Sequence, residues 1–301
     1  MSTAAPRAAP WRQRPERGSL SLMRFMMRAS LVLGRGPSRV MVRIIAAYFF
    51  VTGGAARRAT RDFLARVLGR APTLAEQYHQ FFTFSATVHD RVYFLKGRFD
   101  LFEIEVRGAE LFAPEGMLLM GGHLGSFEVL RACGRHMGQR RVAMAMYDEN
   151  ARLRSVLAAL DPAALGDVVA LGRPESMLEL AARLDEGSIV GVLADRTLAD
   201  EPTAMIDFLG APAPFPTGPM RLAAALRRRV IFMAGLHRGG NRYEICFEPL
   251  ADFSTLEGLS RDEREQRVGQ ATLAYARCLE RHARAAPDNW FNFHDFWGRA
   301  G

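Results

Sequence analysis

With 301 residues, 49% of them hydrophobic, the chain can bury one large core, and a single domain of this size is ordinary for an α/β fold. Its three cysteines, Cys133, Cys246 and Cys278, are odd in number and far apart, which argues against a disulfide framework or a zinc cluster and for a reducing, cytosol-facing setting. The net charge of +8 is lopsided: residues 1–70 hold fourteen arginines, no lysine and two acids, a net of +12, leaving −4 for the rest (8 − 12). Such asymmetry points to an anionic partner for the N-terminal part. No zinc-finger, ribonucleoprotein or helix-turn-helix pattern accompanies the arginines, so nucleic acid is not that partner.

Residues 1–19, rich in Ala, Pro and Arg, read as a disordered arm. Residues 20–56 read as a membrane-associated helical segment. Leu20–Leu33 and Val40–Val51 are apolar helices separated by Gly34-Arg-Gly-Pro37, with Arg24, Arg28, Arg39 and Arg43 spaced along them. Neither reaches the roughly 20 apolar residues that span a bilayer. Helices lying in the membrane interface, their arginines reaching lipid phosphates, fit better; an amphipathic pair packed on the domain is the plainer alternative. No signal peptide is expected, because the first 19 residues lack an apolar core.

From residue 57 to the end the pattern is that of one domain. A helical stretch runs from Arg57 to Lys96, broken at Pro72-Thr73 with Thr73 as N-cap. Strands are expected at Phe102–Val106, Met117–Met120, Arg141–Met146, Val168–Ala170, Ile189–Leu193, Val230–Ala234 and Tyr243–Glu248. Helices are expected at Phe127–His136, Ala151–Leu160, Ser176–Glu186, Pro219–Leu226 and Arg261–Ala285. The alternation predicts an α/β domain whose central mixed sheet is flanked by helices.

One segment carries chemistry. Leu118-Leu-Met-Gly-Gly122 reads as a buried strand ending in a sharp turn, and His123-Leu-Gly-Ser-Phe-Glu128 follows. A histidine at a strand end and a carboxylate one turn into the next helix can form a general base that works near neutral pH. None of the other six histidines has an acid five residues on. Asp195-Arg196 ends another strand, the place where open α/β sheets put ligand sites; a structural ion pair is the alternative. Pro216-Thr-Gly-Pro219 ahead of an apolar helix resembles an anion-receiving helix N-terminus, with Thr217 as its candidate; a plain helix entry is the alternative, above all for Thr217 by itself. Arg152 and Arg154 are candidates for a carrier's phosphate, although a solvated helix face is the better reading of either one alone. Ser126 lacks the second glycine of the G-x-S-x-G elbow, so a serine-hydrolase reading is rejected. The aromatic runs Phe81-Phe82-x-Phe84 and Trp290-Phe-x-Phe293 read as core or groove lining.

Gly122-His123-Leu-Gly-Ser-Phe-Glu128 resembles the H-x4-D/E motif of the lysophospholipid acyltransferase superfamily. Leu193-Ala-Asp-Arg196, the Phe208–Ala223 segment and Asn289-Trp-Phe-Asn-Phe-His-Asp-Phe-Trp297 are similar to its late lipid A branch, the lauroyl and myristoyl transferases. Ser126-Phe127 stands where Asn-Trp is frequent in that branch, and Arg196 where Gln is frequent; the Arg variant is similar to the acyltransferases of aryl polyene lipid pathways. The resemblance implies a membrane-surface acyltransferase on the cytoplasmic face of a bacterial inner membrane, peripheral or monotopic. It implies an acyl thioester donor, carried by acyl carrier protein or coenzyme A, and a hydroxyl acceptor on a lipid or glycolipid. His123 would be the base and Glu128 would orient it. Ser126, Thr217 and Arg154 would contact substrates, Asp195 would help to fix His123 or an acceptor, and Arg196 would meet phosphate or, with the amides near Gly121-Gly122, the oxyanion. No metal or cofactor is expected. The rival classes are a non-catalytic, membrane-docked lipid-binding protein of the same fold and a glycerol lysophospholipid acyltransferase, whose phosphate-binding FPEG motif is absent from this sequence.

Overall fold

The computed structural model of the protein describes residues 20–130, 142–147, 168–171, 174–197 and 201–298. Four helices come first: α1 (Leu20–Leu33), α2 (Arg35–Thr52), α3 (Gly54–Leu68) and α4 (Leu74–Leu95). Then follow β1 (Glu103–Arg107), β2 (Met117–Gly121), β3 (Val142–Tyr147), β4 (Val168–Leu171), α5 (Pro174–Asp185) and β5 (Ile189–Leu193). The chain continues through β6 (Thr203–Phe208), β7 (Ala211–Pro216), α6 (Gly218–Ala225), β8 (Arg229–His237), β9 (Arg242–Asp252) and α7 (Arg261–Ala285). Helix α4 starts where Thr73 predicts. The Thr73 hydroxyl accepts from the Glu76 amide, and the Glu76 carboxylate accepts from the Thr73 amide, a reciprocal cap of about 1 kcal/mol. Helix α2 begins at Arg35 rather than Val40. Gly34 alone (φ 83°) makes the break, because Pro37 falls in the first turn, where its missing N–H would have no partner anyway.

The sheet has seven strands in the order β1-β9-β8-β2-β5-β3-β4. Only β8 and β9 are antiparallel neighbours; every other adjacent pair is parallel. This is the mixed sheet expected, with all seven expected strands present. Side chains alternate across it. Leu118 and Met120 of β2 join Tyr275 and Leu279 of α7 on one face, while Met117 and Leu119 join Val92 to Leu95 of α4 on the other.

The β6–β7 ribbon was not expected from sequence. Pro212, Pro214 and Pro216 are residues that the interior of a sheet excludes. They occupy alternate positions of the ladder, so their side of the strand faces away from β6 and needs no donor. The turn places Leu209 and Gly210 at positive φ (55° and 77°), the signature of a tight hairpin.

The N-terminal arginines depart from expectation. Asp90 of α4 is fully buried and is met by Arg35 Nε and Arg39 Nη2, each at 2.8 Å, and by the Tyr243 hydroxyl at 2.9 Å. A buried carboxylate needs such partners, so Arg39 turns inward instead of toward lipid. The Arg43 guanidinium lies over the Phe82 ring, 5.6 Å from its centroid; Arg28 is exposed, and the Arg24 side chain lies outside the described residues. What α2 turns outward is an apolar stripe of Val40, Ile44, Tyr48 and Val51. Among the described residues no single helix is long and apolar enough to cross a membrane; α2 and α3 pass that test only as a pair bent by 94°.

Candidate active site

The register of two parallel strands builds the site. Gly121 at the end of β2 pairs with Leu193 at the end of β5, so His123 and Asp195, each two residues further on, leave the sheet side by side. They emerge at the C-terminal strand ends, where open α/β sheets hold ligands. His123 Nδ1 lies 2.7 Å from Asp195 Oδ1, and the His123 backbone N–H donates to Asp195 Oδ2 at 2.8 Å. The indole Nε1–H of Trp290 donates to the same Oδ2 at 3.1 Å. The Asp195 carboxylate is therefore fully enclosed, with three donors on its two oxygens.

Burial works against the Asp195 charge, yet the imidazole, the Arg196 guanidinium and the His123 amide hold its carboxyl well below the usual range. An ionised carboxylate only accepts, so Nδ1 carries the ring proton and Nε2 keeps a lone pair. Burial also pushes the His123 pKa below the ordinary imidazole value; Arg196 and Arg91 push the same way, and Asp195 only partly opposes them. His123 is thus neutral near pH 7. Its side chain remains 28% exposed, which leaves it accessible to a ligand.

The Gly-Ser turn fixes where that histidine points. Gly125 has φ 74°, and a Cβ there would fall 2.0 Å from the Gly235 carbonyl of β8, so only glycine fits. The Ser126 amide donates to that carbonyl at 2.7 Å. On the other side, the Gly125 amide donates to the Asn289 carbonyl at 2.8 Å and the Phe291 amide to the His123 carbonyl at 2.7 Å. The turn after His123 is thereby held between β8 and the aromatic C-terminal segment.

Several expected site residues sit elsewhere. Asp195, not Glu128, occupies His123 Nδ1. Helical backbone begins at Val129, so Glu128 lies in the preceding turn rather than one turn into the helix. Glu128 is only 4% exposed; its Oε1 meets Arg91 Nε of α4 at 2.7 Å, and its Oε2 accepts from the Ser126 hydroxyl at 3.3 Å. Four residues separate His123 and Glu128 in sequence, yet the two side chains take different partners, Asp195 for the one and Arg91 with Ser126 for the other. Ser126 is itself buried, at 1% exposure, with its hydroxyl committed to Glu128. Thr217 ties its amide and hydroxyl to the Pro202 carbonyl at 3.0 and 3.1 Å. A Cβ on Gly218 would fall 2.3 Å from Glu201 Oε1, so the N-terminus of α6 already faces the chain's own carboxylate and is not an open anion site. Arg152 and Arg154 lie outside the described residues.

Arg196 does join the site. Its Nη2 donates to the Phe291 carbonyl at 3.2 Å, while its buried Nε–H has no hydrogen-bond partner among the described residues. A buried donor of this kind is costly unless something accepts from it. Gly121 contributes structure: its carbonyl accepts from the Tyr275 hydroxyl at 2.8 Å and the Ala194 amide at 2.9 Å. A cavity of about 340 Å³ lies among Leu171, Met177, Val192, Pro219, Leu222 and Ala225, and its Val192 belongs to the strand that leads to Asp195. No group of three or more His, Cys, Asp or Glu suited to a metal ion occurs among the described residues. Sequence reading missed Arg91 and the polar use of Trp290. An arginine set in the aromatic face of α4, at Arg91-Val-Tyr-Phe94, is the one signal that pointed to the former.

The family model for bacterial lipid A biosynthesis acyltransferases matches residues 12–299. No curated protein matches. Among solved structures, the crystal structure of the 1-acyl-sn-glycerophosphate (LPA) acyltransferase PlsC from Thermotoga maritima is similar at 14% identity. The similarity covers 82% of this chain and 98% of that one, with a TM-score of 0.38.

Proposed function

The chain belongs to the bacterial lipid A biosynthesis acyltransferase family, and on that footing we propose that it moves a fatty acyl group from a thioester donor to a hydroxyl of a membrane lipid or glycolipid, with His123 as general base. It is an acyltransferase by family; donor, acceptor and mechanism are our reading. The observation that carries the mechanism is the 2.7 Å His123–Asp195 contact, which leaves a neutral, accessible Nε2. In this reading Nε2 takes the proton of the acceptor hydroxyl. The oxygen attacks the thioester carbonyl, and Asp195 stabilises the imidazolium that forms. The Nε–H of Arg196, without a hydrogen-bond partner among the described residues, supplies a donor for the tetrahedral oxyanion. Collapse of the intermediate expels the thiolate, which recovers the proton from His123, leaving the ester and a free thiol. No covalent enzyme intermediate is needed.

The donor is acyl carrier protein or coenzyme A thioester, and the apolar cavity beside β5 is of a size suited to hydrocarbon. The outward stripe of α2 and the N-terminal arginines support docking on the cytoplasmic face of the inner membrane, peripherally. The test is acyl transfer by purified protein, with acyl carrier protein and coenzyme A thioesters offered separately against glycolipid and lysophospholipid acceptors. Transfer to a glycolipid that His123→Ala loses by at least about 10²-fold supports the reading. Transfer to lysophosphatidic acid alone would reassign the acceptor, and a His123→Ala protein of parental activity would remove the base.

A further inference from the structure

We infer that Trp290 is a positioning residue of the catalytic centre, its indole N–H fixing the Asp195 carboxylate so that Asp195 in turn holds the His123 imidazole; this rests on the general-base reading of His123. The tripeptide Asn289-Trp-Phe291 touches every part of that centre. The Phe291 amide holds the His123 carbonyl at 2.7 Å, the Trp290 indole holds Asp195 Oδ2 at 3.1 Å, and the Phe291 carbonyl accepts from Arg196 at 3.2 Å. One short segment thereby sets the relative positions of the base, its carboxylate and the cation.

The indole is itself immobilised. Trp290 is fully buried, with ring centroids of Phe63 at 4.7 Å, Phe296 at 4.9 Å and Phe208 at 5.4 Å. Its carbonyl accepts from Gln80 Nε2 at 2.6 Å. A ring packed on several sides presents its N–H in one direction only. An apolar core alone would be served as well by phenylalanine. The N–H is needed because Asp195 is buried, and the His123 amide and ring donate to opposite oxygens without stopping the carboxylate from rocking about its own axis. The indole, the third donor to the carboxylate and the second on Oδ2, removes that freedom, and it also spreads the Asp195 charge.

Trp290→Phe keeps the packing and deletes the donor. The expected result is a fall in kcat on the order of tenfold to a hundredfold, as for displaced catalytic geometry, with donor and acceptor KM within twofold of the parent. The acid limb of the pH–kcat/KM profile moves to higher pH, because an Asp195 charge less shared with the indole favours the imidazolium more. A residue that merely fills the core leaves that limb in place. The second arm needs neither turnover nor a folded variant. In the ¹⁵N-tryptophan-labelled parent, the Trp290 indole resonance follows His123 protonation, whereas that of Trp297, which donates to the Phe208 carbonyl at 3.1 Å, does not. A Trp290→Phe enzyme with parental kcat and pH profile, or a Trp290 resonance that ignores His123 titration, overturns the inference. A parent without acyltransferase activity whose indole resonance still tracks His123 overturns the catalytic reading while leaving the hydrogen-bonded chain in place.

Discussion

Asp195→Asn isolates the part of the proposed mechanism that rests on the most fully hydrogen-bonded group of the site. The side chain is 1% exposed and receives the His123 amide at 2.8 Å, His123 Nδ1 at 2.7 Å and the Trp290 indole at 3.1 Å. Asparagine matches its shape but has a single acceptor oxygen. That oxygen satisfies the position shared by the backbone amide and the indole, because both donors there are fixed. The Asn NH2 then faces Nδ1, which must accept, so the ring proton moves to Nε2. In the proposed mechanism the base is then lost at the atom that takes the acceptor's proton. Trapping a catalytic histidine in the wrong tautomer costs about 10³–10⁴ in kcat, or roughly 4–5.5 kcal/mol at 1.36 kcal/mol per tenfold. Folding suffers less: the loss of one charge-assisted hydrogen bond is worth about 1.5–3 kcal/mol. Steady-state acyl transfer and a thermal melt measured side by side give the two quantities. A variant that melts like the parent and retains more than a tenth of its kcat would refute the tautomer argument and return Asp195 to a purely structural role.

Arg196 and burial both depress the His123 pKa, and the base works only when neutral, so removing the cation shifts the acid limb of kcat/KM toward higher pH. Arg196→Gln is expected to show that shift, while Arg196→Lys keeps the limb and still loses about tenfold in rate, since its point charge lacks the guanidinium's fork; identical limbs in parent and Arg196→Gln would count against the electrostatic reading. Glu128→Gln leaves Arg91 without its carboxylate and is expected to cost about 1–3 kcal/mol of stability, with kcat lowered less than in Asp195→Asn; a larger kinetic effect than that of Asp195→Asn, at parental stability, would restore Glu128 as the histidine's partner. Val40→Ser with Ile44→Ser, both on the outward stripe of α2, is expected to weaken binding to anionic liposomes by about 1.5–3 kcal/mol per apolar side chain withdrawn, and unchanged co-sedimentation would move the membrane face elsewhere.

Local patterns were enough for the sequence to determine the α/β class, the seven strands of the sheet, the capped start at Thr73 and the two strand ends that carry His123 and Asp195. Each is written within a few residues: an apolar run, a Ser/Thr cap, a Gly-Gly turn. What only the tertiary structure decided is which groups meet. The parallel register of Gly121 with Leu193 brings together two residues 72 positions apart in the chain, and no local period encodes register between strands. Glu128, five positions from His123, pairs instead with Arg91 of α4, 37 positions back in the chain. Arg39 went the same way, drawn inward by the unpaired charge of Asp90, and the prolines of β7 fit a strand because they line its free edge. In each case the deciding term is the cost of leaving a buried polar group or charge without a partner, a cost set by neighbours that the chain brings close only when it folds.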